Sequence, residues 1–385
     1  MMSPGARLSL FLCGVFMAAG IATAFLPLWL ADRGLSAAEI GTVLAAASIG
    51  RVLAAPVWGR LADARPRRHV LTAAAALAAL ASFAFLPAHG FWPALIVVVL
   101  QAAAASALMP LADVVAIALS RERRIDYGLV RASGSAAFMA ATAVGGWLLG
   151  LFGMFLAPLL MAAGHGLAAL LGPALPDADQ TPLRPRAGLA TGLGLLRNRA
   201  FLLTVLATAC IQGSHAAYYS LASLHWRDAG ISEAVIGLLW AEGVLAEILL
   251  FIWARRVATR LGPAALTGLA AAAGVLRWTV TGLTTDLAPL IAVQALHGAT
   301  FGMQHLSAML ILSRAIPPER AASAQTLHAA LGGTVSLGLL IWLVGTAYDG
   351  TGTVFLAMAM LSLLALPLVP ALAQLAQRTG RIAPL

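Results

Sequence analysis

From Pro27 to Gly41 the chain reads P-L-W-L-A-D-R-G-L-S-A-A-E-I-G, and from His225 to Gly237 it reads H-W-R-D-A-G-I-S-E-A-V-I-G. Gly34, Ser36, Ile40 and Gly41 of the first stretch are answered by Gly230, Ser232, Ile236 and Gly237 of the second. Each stretch joins two apolar runs through a short polar turn. The loop at the far end of the second run is also repeated: W-G-R-L-A-D-A-R from Trp58 to Arg65 returns in worn form as W-A-R-R-V-A-T-R from Trp253 to Arg260. Repeats this far apart are much longer than the roughly 20 to 50 residues of a solenoid unit, so they predict two similar halves. The duplication sets Arg51 and Glu247 at matching positions with opposite charge.

Composition says what surrounds these halves. Hydrophobic residues make up 61% of the chain and charged residues 10%, with a mean hydropathy of +0.91; an ordinary soluble domain is about 25% charged. Such a balance predicts an all-α integral membrane protein. Segments of about 20 apolar residues satisfy their own backbone hydrogen bonds only as helices, and barrel strands would alternate over shorter segments. Leu8 to Leu30 is too long for the apolar core of a signal peptide and is read as a retained span. Cys13 and Cys210 fall inside apolar runs and read as packing residues.

The net charge of +9 does not indicate nucleic acid, because its placement tracks the loops. Every basic residue is arginine. Arginines 60, 65, 67, 68, 121, 123, 124, 184, 186, 197, 199, 255, 256, 260, 314, 320, 378 and 381 fall in alternate loops or the C-terminal tail, while the opposite loops hold Arg33 and Arg227. The positive-inside rule makes the arginine-rich side cytoplasmic, with both termini there and the cytoplasmic (inner) membrane of a bacterium as the location.

Twelve spans are expected, near 8–30, 38–59, 70–88, 92–119, 128–150, 154–172, 200–225, 233–254, 264–282, 288–312, 322–346 and 352–372. A polar connector containing P-D-A-D-Q-T-P-L-R-P-R divides them. The expected organisation is therefore an N-terminal six-helix bundle over 1–172, a cytoplasmic linker over 173–199 and a C-terminal six-helix bundle over 200–385.

Gly59 to Arg68, G-R-L-A-D-A-R-P-R-R, resembles the signature loop between the second and third helices of the major facilitator superfamily, departing at Pro66 where that pattern has glycine. D-Y-G-L-V-R-A-S-G-S-A-A-F from Asp126, G-S-H-A-A-Y-Y-S from Gly213, G-V-L-R-W-T-V from Gly274 and L-H-G-A-T-F-G-M-Q-H-L-S-A-M from Leu296 resemble the phenylpropionate permease branch, which is related to the lactose and nucleoside proton symporters. The resemblance implies two pseudo-symmetric six-helix bundles and transport by alternating access, with proton-coupled uptake of a small aromatic carboxylate such as 3-phenylpropionate. It implies a latching role for Asp63 on the cytoplasmic side, and superfamily members commonly act as monomers.

Ionisable groups in hydrocarbon are costly and mark functional sites. The first half offers Arg51, Asp113 and Arg131; the second offers Glu242, Glu247 and Arg277 with His215, His297, His305 and His328. Asp113 and Arg131 flank the loop near Glu122 symmetrically, which sets them at similar depth on antiparallel helices, with Arg51 at a comparable level. This trio reads as a charge network or gate, with Arg131 also open to a substrate. Glu242 and Arg277 are symmetric about the loop near Thr259, so one of the two carboxylates is expected to pair with Arg277. Glu242 and Glu247 lie about 140° apart round a helix, and His305 is expected at the level of Glu247.

A carboxyl group in an apolar, intermittently hydrated site can take up and release a proton as its surroundings change, the requirement for coupling. Glu247 is the first candidate, since its G-V-L-A-E matches the permease branch; Glu242 and His305 are the others. Arg277 or Arg131 can engage a substrate carboxylate bidentately. His215, Gln212, Tyr218, Tyr219 and His297 form a polar and aromatic wall suited to a ring-shaped ligand, or to helix packing.

The chain has no phosphate-binding loop and no paired C-x-x-C or H-E-x-x-H, so neither ATP-driven transport nor intramembrane metal catalysis is indicated. No enzyme activity, metal, cofactor or nucleic acid is expected; the proton is the coupling ion, and the partners are a small-molecule substrate and the lipid bilayer. The alternatives are a nucleoside or oligosaccharide proton symporter, a drug or metabolite exporter, and, from another class, a non-transporting membrane sensor.

Overall fold

The structure, a computed structural model, describes residues 2–176 and 194–379. Among them every regular element is helical. The first half gives α1 (Pro4–Asp32), α2 (Ala37–Ala64), α3 (Arg67–Phe83), α4 (Phe91–Ala105), α5 (Leu108–Arg121), α6 (Tyr127–Phe152) and α7 (Leu156–Leu171). The second gives α8 (Arg199–Ile211), α9 (Ser223–Asp228), α10 (Glu233–Ile252), α11 (Ala254–Leu283), α12 (Leu287–Gln294), α13 (Gln304–Ala315), α14 (Pro318–His328), α15 (Ser336–Ala347), α16 (Thr353–Leu363) and α17 (Val369–Thr379).

The repeated motif folds the same way twice. Gly34 and Gly230 end their helices at φ of 85° and 87°, a left-handed conformation that costs glycine little. The next amides, of Leu35 and Ile231, close back onto the carbonyls of Leu30 and Trp226 at 3.2 and 3.0 Å. The serine one residue further on then starts a new helix. Ser36 forms a reciprocal cap with Glu39, its amide donating to Glu39 Oε2 at 2.8 Å and its hydroxyl oxygen accepting from the Glu39 amide at 3.4 Å.

Among the described residues, ten helices are long and apolar enough to cross a membrane. Two shorter paths account for the difference from the expected twelve. One is α3, of 17 residues. The other is expected as one span over 288–312 but is interrupted: α12 and α13 are separated by a π-helical turn at Gly298–Met303. The expected span 92–119 is likewise two helices, α4 and α5, which meet at Ser106 and Ala107. Leu53, Leu80, Leu129 and Leu170 are exposed, as lipid-facing side chains are.

Packing separates two compact units. One comprises the described residues of 1–183 with Ser220–Ala241, the other those of 184–219 with Glu242–Leu385. Most of the linker expected over 173–199, including Arg184 and Arg186, lies outside the described residues. In the first unit α1 packs chiefly on α6 and α7, α3 on α7, and α2 on α4. In the second, α11 packs on α16, on α13 and on the π turn, and α8 packs on α13 and on a further π turn at Ala329–Val335.

Candidate functional site

Arg277 is the centre of the second unit. It sits in α11 with no exposed surface. Its Nη2 donates to Gln294 Oε1 at 2.6 Å, and its Nη1 donates to His297 Nδ1 at 2.8 Å and to Thr300 Oγ1 at 3.2 Å. The rings of Tyr218 and Trp278 lie against the guanidinium carbon, at 4.4 and 4.5 Å from their centroids, a cation–π arrangement. The interruption between α12 and α13 makes this possible: Gln294 ends one helix, His297 precedes the π turn and Thr300 lies within it. Three polar side chains thereby converge on one guanidinium. π turns of this kind often mark functional positions.

Donor and acceptor inventory fixes the tautomers. Arginine only donates, so His297 Nδ1 accepts and its proton sits on Nε2, which faces Glu247 Oε2 at 3.9 Å. His215 Nδ1 lies 3.0 Å from the Ile211 carbonyl and donates to it, leaving Nε2 to accept from the Thr300 hydroxyl at 3.0 Å. His215 is wholly enclosed, edge-on to Trp278 at 5.1 Å and stacked on Tyr219 at 5.7 Å. Gln212 donates to the Phe301 carbonyl at 3.3 Å, joining α8 to the π turn.

The side chains that hydrogen-bond Arg277 among the described residues, those of Gln294, His297, Thr300 and Tyr218, are neutral, and no carboxylate among those residues forms an ion pair with it. Its Nε is buried and has no partner among those residues. A buried charge without a counter-charge is among the most expensive arrangements in a protein. The pairing of Arg277 with Glu242 or Glu247 expected from sequence is thus not made. The guanidinium is taken up by α12 and the π turn, while Glu242 interacts with it only through the longer-range field. Glu247 is directed at His297 instead. α10 reaches that ring along one face, through Gly243 and Glu247, four residues apart.

His305 also differs from expectation. It is exposed, with its ring edge-on to Phe251 at 6.4 Å, and makes no ion pair with Glu247. The π turn at Gly298–Met303 lies between His297 and His305 and changes the angular register from that of an uninterrupted helix. His328 lies apart from Arg277, hydrogen-bonded to Thr208 at 2.9 Å.

In the first unit, Arg131 Nε lies 3.8 Å from Asp113 Oδ1, and the guanidinium rests 4.6 Å from the Phe16 ring centroid. Arg51 does not complete the expected trio. It is exposed and unpaired among the described residues, because α2 packs on α4 and not on α5, which carries Asp113. Asp63 is exposed near the end of α2, with no ion pair among the described residues.

Sequence reading missed Gln294, Thr300 and Trp278. Gln294 and Thr300 lie three residues before and after His297, a spacing that would put all three on one face of a continuous helix; those polar residues in an apolar run are the available signal. Trp278 adjoins Arg277 in a motif that drew attention only to the arginine.

Comparison with known proteins extends this picture. The model of the MFS_1 like family matches residues 6–359. The probable 3-phenylpropionic acid transporter of Escherichia coli (strain K12) is 32% identical over 362 residues, covering 92% of this chain and 94% of its own. The maltose permease of Geobacillus stearothermophilus is 27% identical over 355 residues, covering 88% of this chain and 89% of its own. Among solved structures, a mutant of the nucleoside transporter NupG superposes with a TM-score of 0.84 at 16% identity, covering 97% of this chain and all of that one, a likeness of fold alone.

Proposed function

Since the chain belongs to the MFS_1 like family and is a membrane transporter rather than an enzyme, we propose that it takes up a small aromatic carboxylate, with 3-phenylpropionate as the type, together with protons. In this reading it is a secondary transporter of the cytoplasmic membrane. It alternates access between two halves, 1–172 and 200–385, and has both termini inside and acts as a monomer.

One observation carries the substrate class: Arg277 is a buried guanidinium held by neutral groups only. A carboxylate replacing a neutral acceptor such as Gln294 Oε1 supplies the missing counter-charge in a bidentate geometry. Tyr218 and Trp278, already against the guanidinium, offer ring faces to the aromatic part of the same ligand. Arg131 is the weaker partner, because Asp113 is already beside it. The neutral hydroxyls of a nucleoside or sugar would leave the Arg277 charge uncompensated, which favours the acid over that alternative.

Proton coupling follows from the same set. While Arg277 donates to His297 Nδ1, the ring turns its Nε2–H toward Glu247. Recruiting Arg277 to a carboxylate frees the His297 ring from the guanidinium and so changes the surroundings in which Glu247 takes up its proton, and substrate and proton then bind cooperatively. The substrate class is tested by binding to detergent-solubilised protein. 3-Phenylpropionate is expected to bind at least about 30-fold more tightly than its uncharged amide, the ratio for one buried charge interaction of about 2 kcal/mol. Equal binding of acid and amide would remove Arg277 from recognition.

A further inference from the structure

Arg51 stands near the middle of α2, with about 20 Å of helix on either side of it at about 1.5 Å per residue. An arginine side chain is too short to carry its charge from there to either end of the helix, so the guanidinium stays at membrane depth. Charge at that depth is costly in lipid and is kept where it meets water or a partner.

The helix face decides between the two. Ile49 and Leu53, two residues before and two after, are 61% and 69% exposed and lie about 160° round the helix from Arg51. They form the lipid-facing side. Ile40 and Ala47 lie within about 40° of Arg51 and are buried, and further along the same side Trp58 donates its Nε1–H to the Ala103 carbonyl of α4 at 2.8 Å. Arg51 is exposed all the same. The side of α2 that packs on protein therefore opens to water at this arginine. The guanidinium makes no side-chain hydrogen bond or ion pair among the described residues. What such a cation lacks is an anion.

We propose that Arg51 is the first contact for the substrate's carboxylate, drawing it into the protein and so setting the rate of binding. The inference rests on the reading of the substrate as a carboxylate. The two arginines divide the work by their surroundings. Arg277 is enclosed, and its pairing is strong because water is excluded. Arg51 is hydrated, so an anion held there gains little; its field, focused by the low-dielectric walls of the opening, raises the local concentration of anions instead. Its effect is one of rate, dependent on charge and not on guanidinium shape, and weakened by salt.

The test is stopped-flow binding of 3-phenylpropionate and its amide to detergent-solubilised full-length protein at low and high salt. Arg51→Gln is expected to slow association of the acid about tenfold at low salt, to lose most of the salt dependence, and to leave the dissociation rate and the amide unchanged. Arg51→Lys is expected to associate as the wild type does, and this rescue, with the salt dependence, separates charge from packing. Arg260 is an exposed arginine of the second unit, and Arg260→Gln is expected to change nothing. Wild-type association in folded Arg51→Gln, or equal slowing in Arg260→Gln, would overturn the inference and leave the substrate class standing. Wild-type protein that binds acid and amide alike would overturn both.

Discussion

Arg277→Gln is expected to weaken binding of 3-phenylpropionate by about 30-fold or more while leaving the weak binding of its amide unchanged. The magnitude follows from removing one member of a buried, hydrogen-bonded charge pair, which costs about 2 to 5 kcal/mol. Glutamine keeps hydrogen-bonding capacity toward Thr300 and Gln294, and it removes a charge that forms no ion pair with a carboxylate among the described residues. Folding should therefore survive the change, and a thermal scan in detergent would establish that it does. Arg277→Lys is expected to recover only part of the affinity, because an ammonium lacks the planar fork that engages a carboxylate and contacts Gln294, His297 and Thr300 together. Isothermal titration of the three proteins with acid and amide measures all of this. An unchanged affinity in folded Arg277→Gln would sink the assignment of the carboxylate to this residue.

Glu247→Gln has the second large effect, on accumulation and not on recognition. Glu247 Oε2 faces the Nε2–H of His297 at 3.9 Å. Replacing it by an amide of the same size removes the proton acceptor and leaves Arg277, Gln294 and the aromatic wall in place. One proton per substrate supports about tenfold accumulation for each unit of pH gradient, the equivalent of about 1.36 kcal/mol. The variant is expected to fall to an internal to external ratio of about one, while still exchanging labelled for unlabelled substrate. Glu242→Gln is expected to do less, since Glu242 touches neither Arg277 nor His297 directly. Counterflow and gradient-driven uptake, measured in parallel, separate these outcomes. Gradient-driven uptake that survives in Glu247→Gln would pass the proton to Glu242 or to a histidine.

Much of the fold was readable before the structure. The duplicated turn carries its own geometry: a glycine that must be left-handed, an amide closing back across it and a serine that caps the next helix. Those local rules act within about ten residues, so the sequence shows them plainly. The apolar runs also announced the spans, because lipid leaves the backbone no other option.

The partners of Arg277 were harder to see. Opposite charges at similar depth suggested that a carboxylate would meet the guanidinium, but depth along an axis says nothing of azimuth. The π turn at Gly298–Met303 decided the matter by presenting Gln294, His297 and Thr300 together and carrying His305 elsewhere. No hydrophobic period announces such a turn, since it differs from an α-turn only in its backbone hydrogen-bond pairing, five residues apart in place of four. Arg51 was misjudged for a related reason: which helix a helix packs on is a tertiary fact, and α2 lies on α4.

Transport of an aromatic acid through this chain, driven by a proton gradient, is tested most directly by uptake of labelled 3-phenylpropionate into proteoliposomes with an alkaline interior, with and without a protonophore. Accumulation above the external concentration is expected, and the protonophore should abolish it. No uptake by protein shown to be folded, or uptake to the same level with the protonophore present, would contradict proton-driven transport of this acid.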